Sequence, residues 1–385
     1  MTAVSAPSST VPDRFQLPEG VCSLADHEKH AQGLMDAATW AYFNGGAADE
    51  ITLRANVAAW QQIPLYPRVL RPMHEAHTRV TLLGRTWSHP VLVAPMAYQC
   101  LAHPHGEQAT ALAAAAMGAG MVLSTQSSTS MEDVARLTLA DNGRGPLWFQ
   151  LYLQGDRALT CELVRRAEDA GYEALVVTVD APVQGARNRE RRAGFQLPSH
   201  VRAVHLDGHE PPSPAALLPG QSALFDAHLK HTPTWNDIEW LRCVTRLPIV
   251  LKGIGHPDDA LQAHRSGAAG VIVSNHGGRV LDTTPPSAAL LPAVAQALQG
   301  DLPVLVDGGI RRGTDILKAL GLGACAVMVG RPVLHGLANA GAVGVAHVLR
   351  LLRDELEMTM ALTGCTSLSS AHESLVVPSV HIGQT

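Results

Sequence analysis

Residues 303–330 read PVLVDGGIRRGTDILKALGLGACAVMVG, and residues 331–332 add RP. A short apolar run ends in Asp-Gly-Gly, a segment with helical apolar spacing follows, and a second apolar run ends in Gly-Arg-Pro. Two strands joined through one helix pack side by side and parallel, because the crossover returns the chain to the same end of the sheet. Working back toward Pro90, the same unit recurs. Apolar runs rich in Val, Leu and Ile stand at VLVAPM (91–96), MVLST (121–125), LWFQLY (147–152), ALVVTVD (174–180), PIVLKG (248–253), GVIVSN (270–275), PVLVDGG (303–309) and AVMVG (326–330). Ala-rich amphipathic segments separate many of them, GEQATALAAAAMGAG among them. Eight such strands predict a TIM (β/α)8 barrel, in preference to an open sheet with one switch point.

A barrel of this kind carries its site where the strands end. Polar residues gather there: Ser124, Gln150, Tyr152, Thr178, Asp180, Lys252, Asn275, His276, Asp307 and Arg331. In VIVSNHGGRVLD (271–282) a strand runs into His276, with Arg279 three residues on. That suits a base beside an anchor for a carboxylate, although a plain polar loop would use the same residues to close a turn. The loops after the seventh and eighth strands, DGGIRRGTD (307–315) and GRP (330–332), occupy the positions that cradle phosphate in many barrels. Gly308, Gly309, Arg311, Gly330 and Arg331 therefore point to a phosphorylated cofactor. No GxGxxG follows an early strand, which argues against a Rossmann nicotinamide site. Lys252, one of only four lysines, ends the fifth strand. There it can offset negative charge on a flavin ring, form a Schiff base, or close a salt bridge. The phosphate loops and His276 favour the flavin.

The composition narrows the classes. With 385 residues, 46% of them hydrophobic, the chain can bury a large core, and a net charge of −5 without a basic run argues against a nucleic-acid partner. Cys22, Cys100, Cys161, Cys243, Cys325 and Cys365 are scattered with no CxxC pair, so reduced thiols, no metal and a cytoplasmic location are expected. The first twenty residues lack the apolar block of a signal peptide, uninterrupted apolar stretches are short for a membrane span, and HIGQT is no SKL-type address. The expected plan is a loose tail over 1–20 and one domain over 21–385, with the barrel at about 90–340. Residues 20–90 should close one barrel end as helices and short strands. A long lid at about 185–233, read as mobile and without a membrane-binding block, should follow the fourth strand. An amphipathic helix should follow Ala340.

Taken together, VSNHGGRVLD, VDGGIRRGTDILKALGLGACAVMVGRPVLHGLA, FQLY, TVDAPVQGARNRE, LKG and APMAYQCLAHPHGE resemble the FMN-dependent α-hydroxy-acid oxidase and dehydrogenase family. Its members include glycolate, lactate and hydroxymandelate oxidases, lactate monooxygenase and mandelate dehydrogenase. The likeness runs from about Leu24 to Leu368. It implies FMN as cofactor, with His276 as the base, Asp180 orienting it, Arg187 and Arg279 clamping a carboxylate, and Tyr42 and Tyr152 bonding to the substrate. It implies Pro95, Met96, Ala97, Ser124, Gln150, Thr178, Lys252 and Ser274 around the flavin ring and ribityl chain. Asp307 to Arg311 (Gly308 and Gly309 included), with Gly330 and Arg331, would hold ribityl and phosphate. The implied activity is oxidation of an L-2-hydroxy acid by O2, giving the 2-oxo acid and hydrogen peroxide, by a homo-oligomer that is tetrameric in many relatives. A quinone or cytochrome acceptor, a flavin-bound isomerase and a silent flavin binder are the competing readings. Gln126 and Gln184 stand where glycolate-oxidising relatives carry a tryptophan and an aliphatic residue. With APMAYQCLAHPHGE closer to the hydroxymandelate-oxidase pattern, they favour a larger, aryl or polar substrate.

Overall fold

The computed structural model describes residues 16–209 and 217–371. The tail reading for residues 1–15, the middle of the lid segment and the HIGQT terminus fall outside them. A hairpin of β1 (Val80–Leu82) and β2 (Arg85–Trp87) precedes eight parallel strands: β3 (Val91–Val93), β4 (Gly120–Leu123), β5 (Leu147–Leu151), β6 (Leu175–Thr178), β7 (Ile249–Ile254), β8 (Gly270–Val273), β9 (Val304–Val306) and β10 (Ala326–Val329). They close in sequential order, β10 pairing with both β9 and β3. All eight expected strands are present. Most end before their apolar runs do, because the last residues of each run leave the hydrogen-bond ladder to face the barrel mouth.

The pleat sorts each strand into two faces. Val91, Val93, Met121, Leu123, Leu147, Phe149, Leu175 and Val177 point outward and pack under the helices. Leu92, Val122, Trp148, Val176, Val250, Ile272, Leu305 and Met328 fill the barrel interior. Leu82 and Trp87 join this inner cluster, so the hairpin plugs the amino-terminal end. The expectation that residues 20–90 close one end is thus too narrow: helices Ala37–Asn44 and Ile51–Gln61 reach the opposite mouth, where Phe43 and Tyr42 line the cleft.

The segment after β6 is not featureless. It forms a short helix at Asn188–Arg192, 3-10 turns at Val204–Leu206 and His228–His231, and a π-helical turn at Ala223–Ala227. Its front half is docked rather than free: Ala48 N donates to Ala186 O (2.7 Å), Val204 N donates to Ser127 O (3.0 Å), and Val201 and His205 are buried. The expected C-terminal helix spans Arg331–Thr363 and is interrupted at Ala340 and Gly341, where the backbone leaves helical geometry. By length and composition this helix could cross a membrane, yet 72% of its apolar window is buried against the rest of the protein, as befits a core helix.

Candidate active site

Two residues beyond the apolar interior layer, on the same inward face, the strands carry Ser124, Gln150, Thr178, Lys252, Ser274 and Asp307. The side-chain period of two therefore lays a polar ring directly on the apolar plug. Above it opens a cleft of about 1080 Å³, counting its mouth. Every expected flavin residue except Ser274 lines it: Pro95, Met96, Ala97, Ser124, Gln150, Thr178, Lys252, Asp307, Gly308, Gly309, Arg311, Gly330 and Arg331. Ser274 lies beneath, where its hydroxyl accepts from Lys252 Nζ (3.0 Å) and from His276 N (3.1 Å).

His276 follows β8 in a left-handed turn, with φ of +55° at His276, +62° at Gly277 and +73° at Gly278. For a non-glycine residue this conformation costs roughly 1–3 kcal/mol, and it persists where the surroundings enforce it. A Cβ at Gly278 would come within 2.6 Å of Leu53 N, so helix Ile51–Gln61 presses on the turn. His276 Nδ1 lies 2.9 Å from Asp180 Oδ1, which directs the other ring nitrogen to the cleft. Gly253 makes room for this pair, since a Cβ there would overlap the Asp180 side chain. Burial pushes His276 below its ordinary value against the pull of Asp180, with Lys252 adding to the fall, so the imidazole stays a neutral acceptor. Burial opposes charge on Asp180, yet Lys252 and His276 outweigh it and hold the carboxyl below its ordinary value. The same balance keeps Lys252 charged: burial opposes its charge, while Asp307 (3.1 Å) and Asp180 restore it and raise its pKa.

Helix Ala37–Asn44 turns its carboxyl end, the negative pole of its dipole, toward the mouth. Arg279 Nη1 donates to the carbonyls of Tyr42 (2.6 Å), Phe43 (3.2 Å) and Gly45 (2.9 Å). Burial and the neighbouring Arg187 bring Arg279 down to about 10. Arg187 lines the same cleft, its Nη1 3.4 Å from Glu190 Oε2 and its buried Nε without a partner among the described residues. Two like charges crowded out of water form a receptor for an anion, and a carboxylate would relieve both the repulsion and the unmet donor. Tyr42, raised to about 12 by burial, and Tyr152, raised for the same reason, remain protonated donors beside it.

The cofactor end has the same electrostatic character. Burial, then Arg279 and Arg311, drives Arg331 well below its ordinary value, and burial lowers Arg311. Arg331 is less free than its place in the sequence suggests: Nε donates to Phe43 O (3.1 Å), Nη1 to Gly277 O (3.0 Å) and Nη2 to Gly45 O (3.2 Å). Its charge borders the cleft, while its nitrogens brace backbone. Gly308 and Gly309 are left-handed (φ +94° and +85°), and a Cβ at Gly309 would overlap Asn56 O. Gln150 Nε2 and Asp307 Oδ1 are buried without partners among the described residues. A buried positive field over a glycine turn, beside one unmet donor and one unmet acceptor, fits a phosphorylated ring cofactor.

Fold and site together define a closed (β/α)8 barrel whose mouth holds a His–Asp pair, two neighbouring guanidiniums and two glycine turns around one cleft. A sequence profile of the FMN-dependent dehydrogenase family matches residues 31–378, and the chain belongs to that family, with FMN as its cofactor. It is 49% identical over 360 residues to an L-lactate oxidase of Roseobacter sp. (strain GAI101), covering 93% of this chain and 96% of that protein. It is 43% identical over 350 residues to glycolate oxidase 1 of Zea mays, covering 91% and 94%. Among solved structures, mandelate oxidase with benzoyl-formic acid superposes with a TM-score of 0.81 at 43% identity, over 91% of this chain and 96% of that one. The chain is an FMN-dependent 2-hydroxy-acid oxidase.

Sequence reading singled out Gln126 and Gln184 but missed the apolar part of the outer wall. A second chamber of about 3380 Å³, counting open solvent, continues from the cleft across Tyr42, Gln126, Tyr152 and Arg187. Phe195, from the lid segment, stacks on Tyr42 at 4.4 Å between ring centroids, and Tyr98, Leu197 and Trp235 extend the wall. Gln126 lines both spaces, and Gln184 the outer one. Nothing in the composition of the lid marks Phe195 as different from other exposed-loop aromatics. The aspartate of VIVSNHGGRVLD also has a place: Asp282 accepts from Asp49 N (3.0 Å) and Thr52 N (2.8 Å) and caps helix Ile51–Gln61 from across the fold.

Proposed function

We propose that His276 takes the hydroxyl proton of an L-2-hydroxy acid whose carboxylate sits between Arg279 and Arg187, with Tyr42 bonding to that carboxylate and Tyr152 to the reacting oxygen. The observation that carries this is the His276–Asp180 pair of 2.9 Å facing the same cleft as two crowded guanidiniums. FMN supplies the two-electron acceptor that dioxygen reoxidises, giving hydrogen peroxide. Asp180 offsets the positive charge that His276 gains, and Lys252 supplies a fixed positive charge at the floor of the cleft, with Asp307 and Ser274 holding it in place. Pro95, Met96, Ala97, Ser124, Gln150 and Thr178 would bound the ring, and the loops at Asp307–Arg311 and Gly330–Arg331 the ribityl chain and phosphate. An isomerase would leave the paired arginines without a task.

The outer chamber supports a substituent larger than methyl on the α-carbon, and Gln126, Gln184 and Tyr98 offer it hydrogen bonds. We place the enzyme in a reducing, cytoplasmic compartment, which its six free cysteines suit. We further propose a homo-oligomer. Val69 and Leu70 are 80% and 100% exposed, and Arg68 N donates to Leu362 O, which sets that loop beside exposed Leu362. The functional test is anaerobic bleaching of bound flavin by both enantiomers of glycerate, lactate, mandelate, hydroxymandelate and longer 2-hydroxy acids, followed by air. Bleaching by L acids with fast reoxidation is expected. Reoxidation by quinone but not by air would refute the oxidase reading, and light scattering that gives a monomer would refute the assembly.

A further inference from the structure

Besides the bond from Arg331 Nη1 to Gly277 O, one buried residue joins the turn that presents His276 to the glycine loop at Asp307–Arg311. Asn56, 2% exposed on helix Ile51–Gln61, donates from Nδ2 to Asn275 Oδ1 (2.8 Å) and accepts at Oδ1 from Asn275 Nδ2 (2.9 Å). Each amide has a second bond that settles its orientation: Asn56 Oδ1 also accepts from Ser287 N (3.1 Å), and Asn275 Oδ1 from Gly278 N (3.2 Å). Asn275 directly precedes His276, so this reciprocal pair grips both sides of the left-handed turn. On its other flank Asn56 meets the phosphate loop. A Cβ at Gly309 would overlap Asn56 O, and one at Gly308 would lie 3.4 Å from Asn56 Cγ. One turn along, Trp60 Nε1 donates to Gly308 O (2.8 Å). Asp282 caps the start of this helix, and Lys318 Nζ holds Trp60 O at its end (2.8 Å). The helix is thus held at both ends, its backbone at Asn56 packed against Gly309 while the Asn56 side chain bonds to the base turn and borders Gly308.

We propose that Asn56 is a positioning residue that couples the phosphate loop to the base turn, so that seating the FMN phosphate and presenting His276 are one event. A close-packed contact of this kind transmits displacement because neither side can relax alone. The assignment rests on His276 being the base, but the cofactor half of the test does not.

The test uses the full chain with Asn56→Leu, Asn275→Leu and the double variant. Asn56→Ser serves as a milder replacement should the leucine fail to fold, and Leu298→Ala, a buried residue on an outer helix, serves as a stability control. FMN affinity of the apoprotein is read from flavin fluorescence quenching, and the anaerobic reduction rate at saturating substrate and FMN is read by stopped flow. Coupling predicts that Asn275→Leu, whose hydrogen bonds among the described residues go to Asn56, Pro285 and Gly278 and not to the phosphate loop, weakens FMN binding about tenfold, the effect of one or two lost buried hydrogen bonds. Asn56→Leu should lower both FMN affinity and reduction rate by about tenfold or more with KM little changed, and the double variant should be no worse than the worse single. Leu298→Ala should lower Tm without moving either readout. FMN affinity of Asn275→Leu within twofold of wild type, or additive losses in the double variant, would overturn the proposal. So would losses in Asn56→Ser or Asn56→Leu that match those of Leu298→Ala at equal Tm. Failure of wild-type bleaching by every hydroxy acid would instead strike the role of His276 and leave the affinity result standing.

Discussion

Replacing Asp180 with Asn separates the charge of this carboxylate from its hydrogen bond. The amide oxygen can still accept from His276 Nδ1 at the present 2.9 Å, so orientation survives while the negative charge disappears. With charge centres about 4 Å apart and an effective dielectric of about 20, the pair is worth on the order of 4 kcal/mol once His276 is protonated. Measured hydrogen bonds to charged groups contribute about 1.5–3 kcal/mol, so about 3 kcal/mol is a reasonable loss, or roughly a hundredfold in the reduction rate. The pH profile adds a signed test. His276 must be neutral to accept a proton, so the rate falls as pH drops through its pKa, which already lies below the ordinary 6.5 because burial outweighs Asp180. Without the carboxylate, the burial and Lys252 effects act unopposed, and the acid limb must move to still lower pH while the plateau drops. Anaerobic stopped-flow reduction across pH, with flavin content checked by absorbance, reads both. A rate within threefold of wild type with the acid limb unmoved would refute the electrostatic role given to Asp180.

Three further outcomes are expected. His276→Ala should retain FMN, shown by an unchanged yellow holoprotein, while reduction falls by about two to four orders of magnitude, the range for loss of a general base. Arg279→Lys should raise KM and lower kcat together, because one ammonium cannot bond to the Tyr42, Phe43 and Gly45 carbonyls and still offer a fork to the substrate; steady-state kinetics that show only a KM effect would contradict this. Gln126→Leu should shift relative kcat/KM from polar toward apolar 2-hydroxy acids by about tenfold, the cost of an unmet buried hydrogen bond, and an unchanged substrate profile would remove Gln126 from the pocket wall that reads the substrate.

The parts of the fold that were legible are those in which local rules act within a few residues. An eight-fold recurrence of apolar runs bounded by Gly, Pro and Asp announces the barrel, and the period of two then dictates that Thr178, Lys252 and Asp307 face inward above Val176, Val250 and Leu305. The site's inner lining was therefore readable from strand ends and two glycine loops. Its support was not, because each contact joins segments far apart in the chain. Asn56 and Asn275 are 219 positions apart, and Asp282 caps a helix 230 positions before it. A lone Asn in a helix or an Asp in a loop carries no mark of such a partner. Long side chains add a second blind spot, since the backbone position of Arg331 says nothing about where its guanidinium ends. Three of its donors turn away to Phe43, Gly45 and Gly277, and Arg279 holds two of those same carbonyls. One consequence is that the carboxyl end of helix Ala37–Asn44 is pinned by two buried cations, one from the substrate side and one from the cofactor side. Tyr42 sits on that helix, stacked against Phe195 of the lid segment. The clamp, the cofactor loop and the outer wall thus share a single short helix, so a perturbation of any one of them should reach the other two through the backbone of residues 42–45.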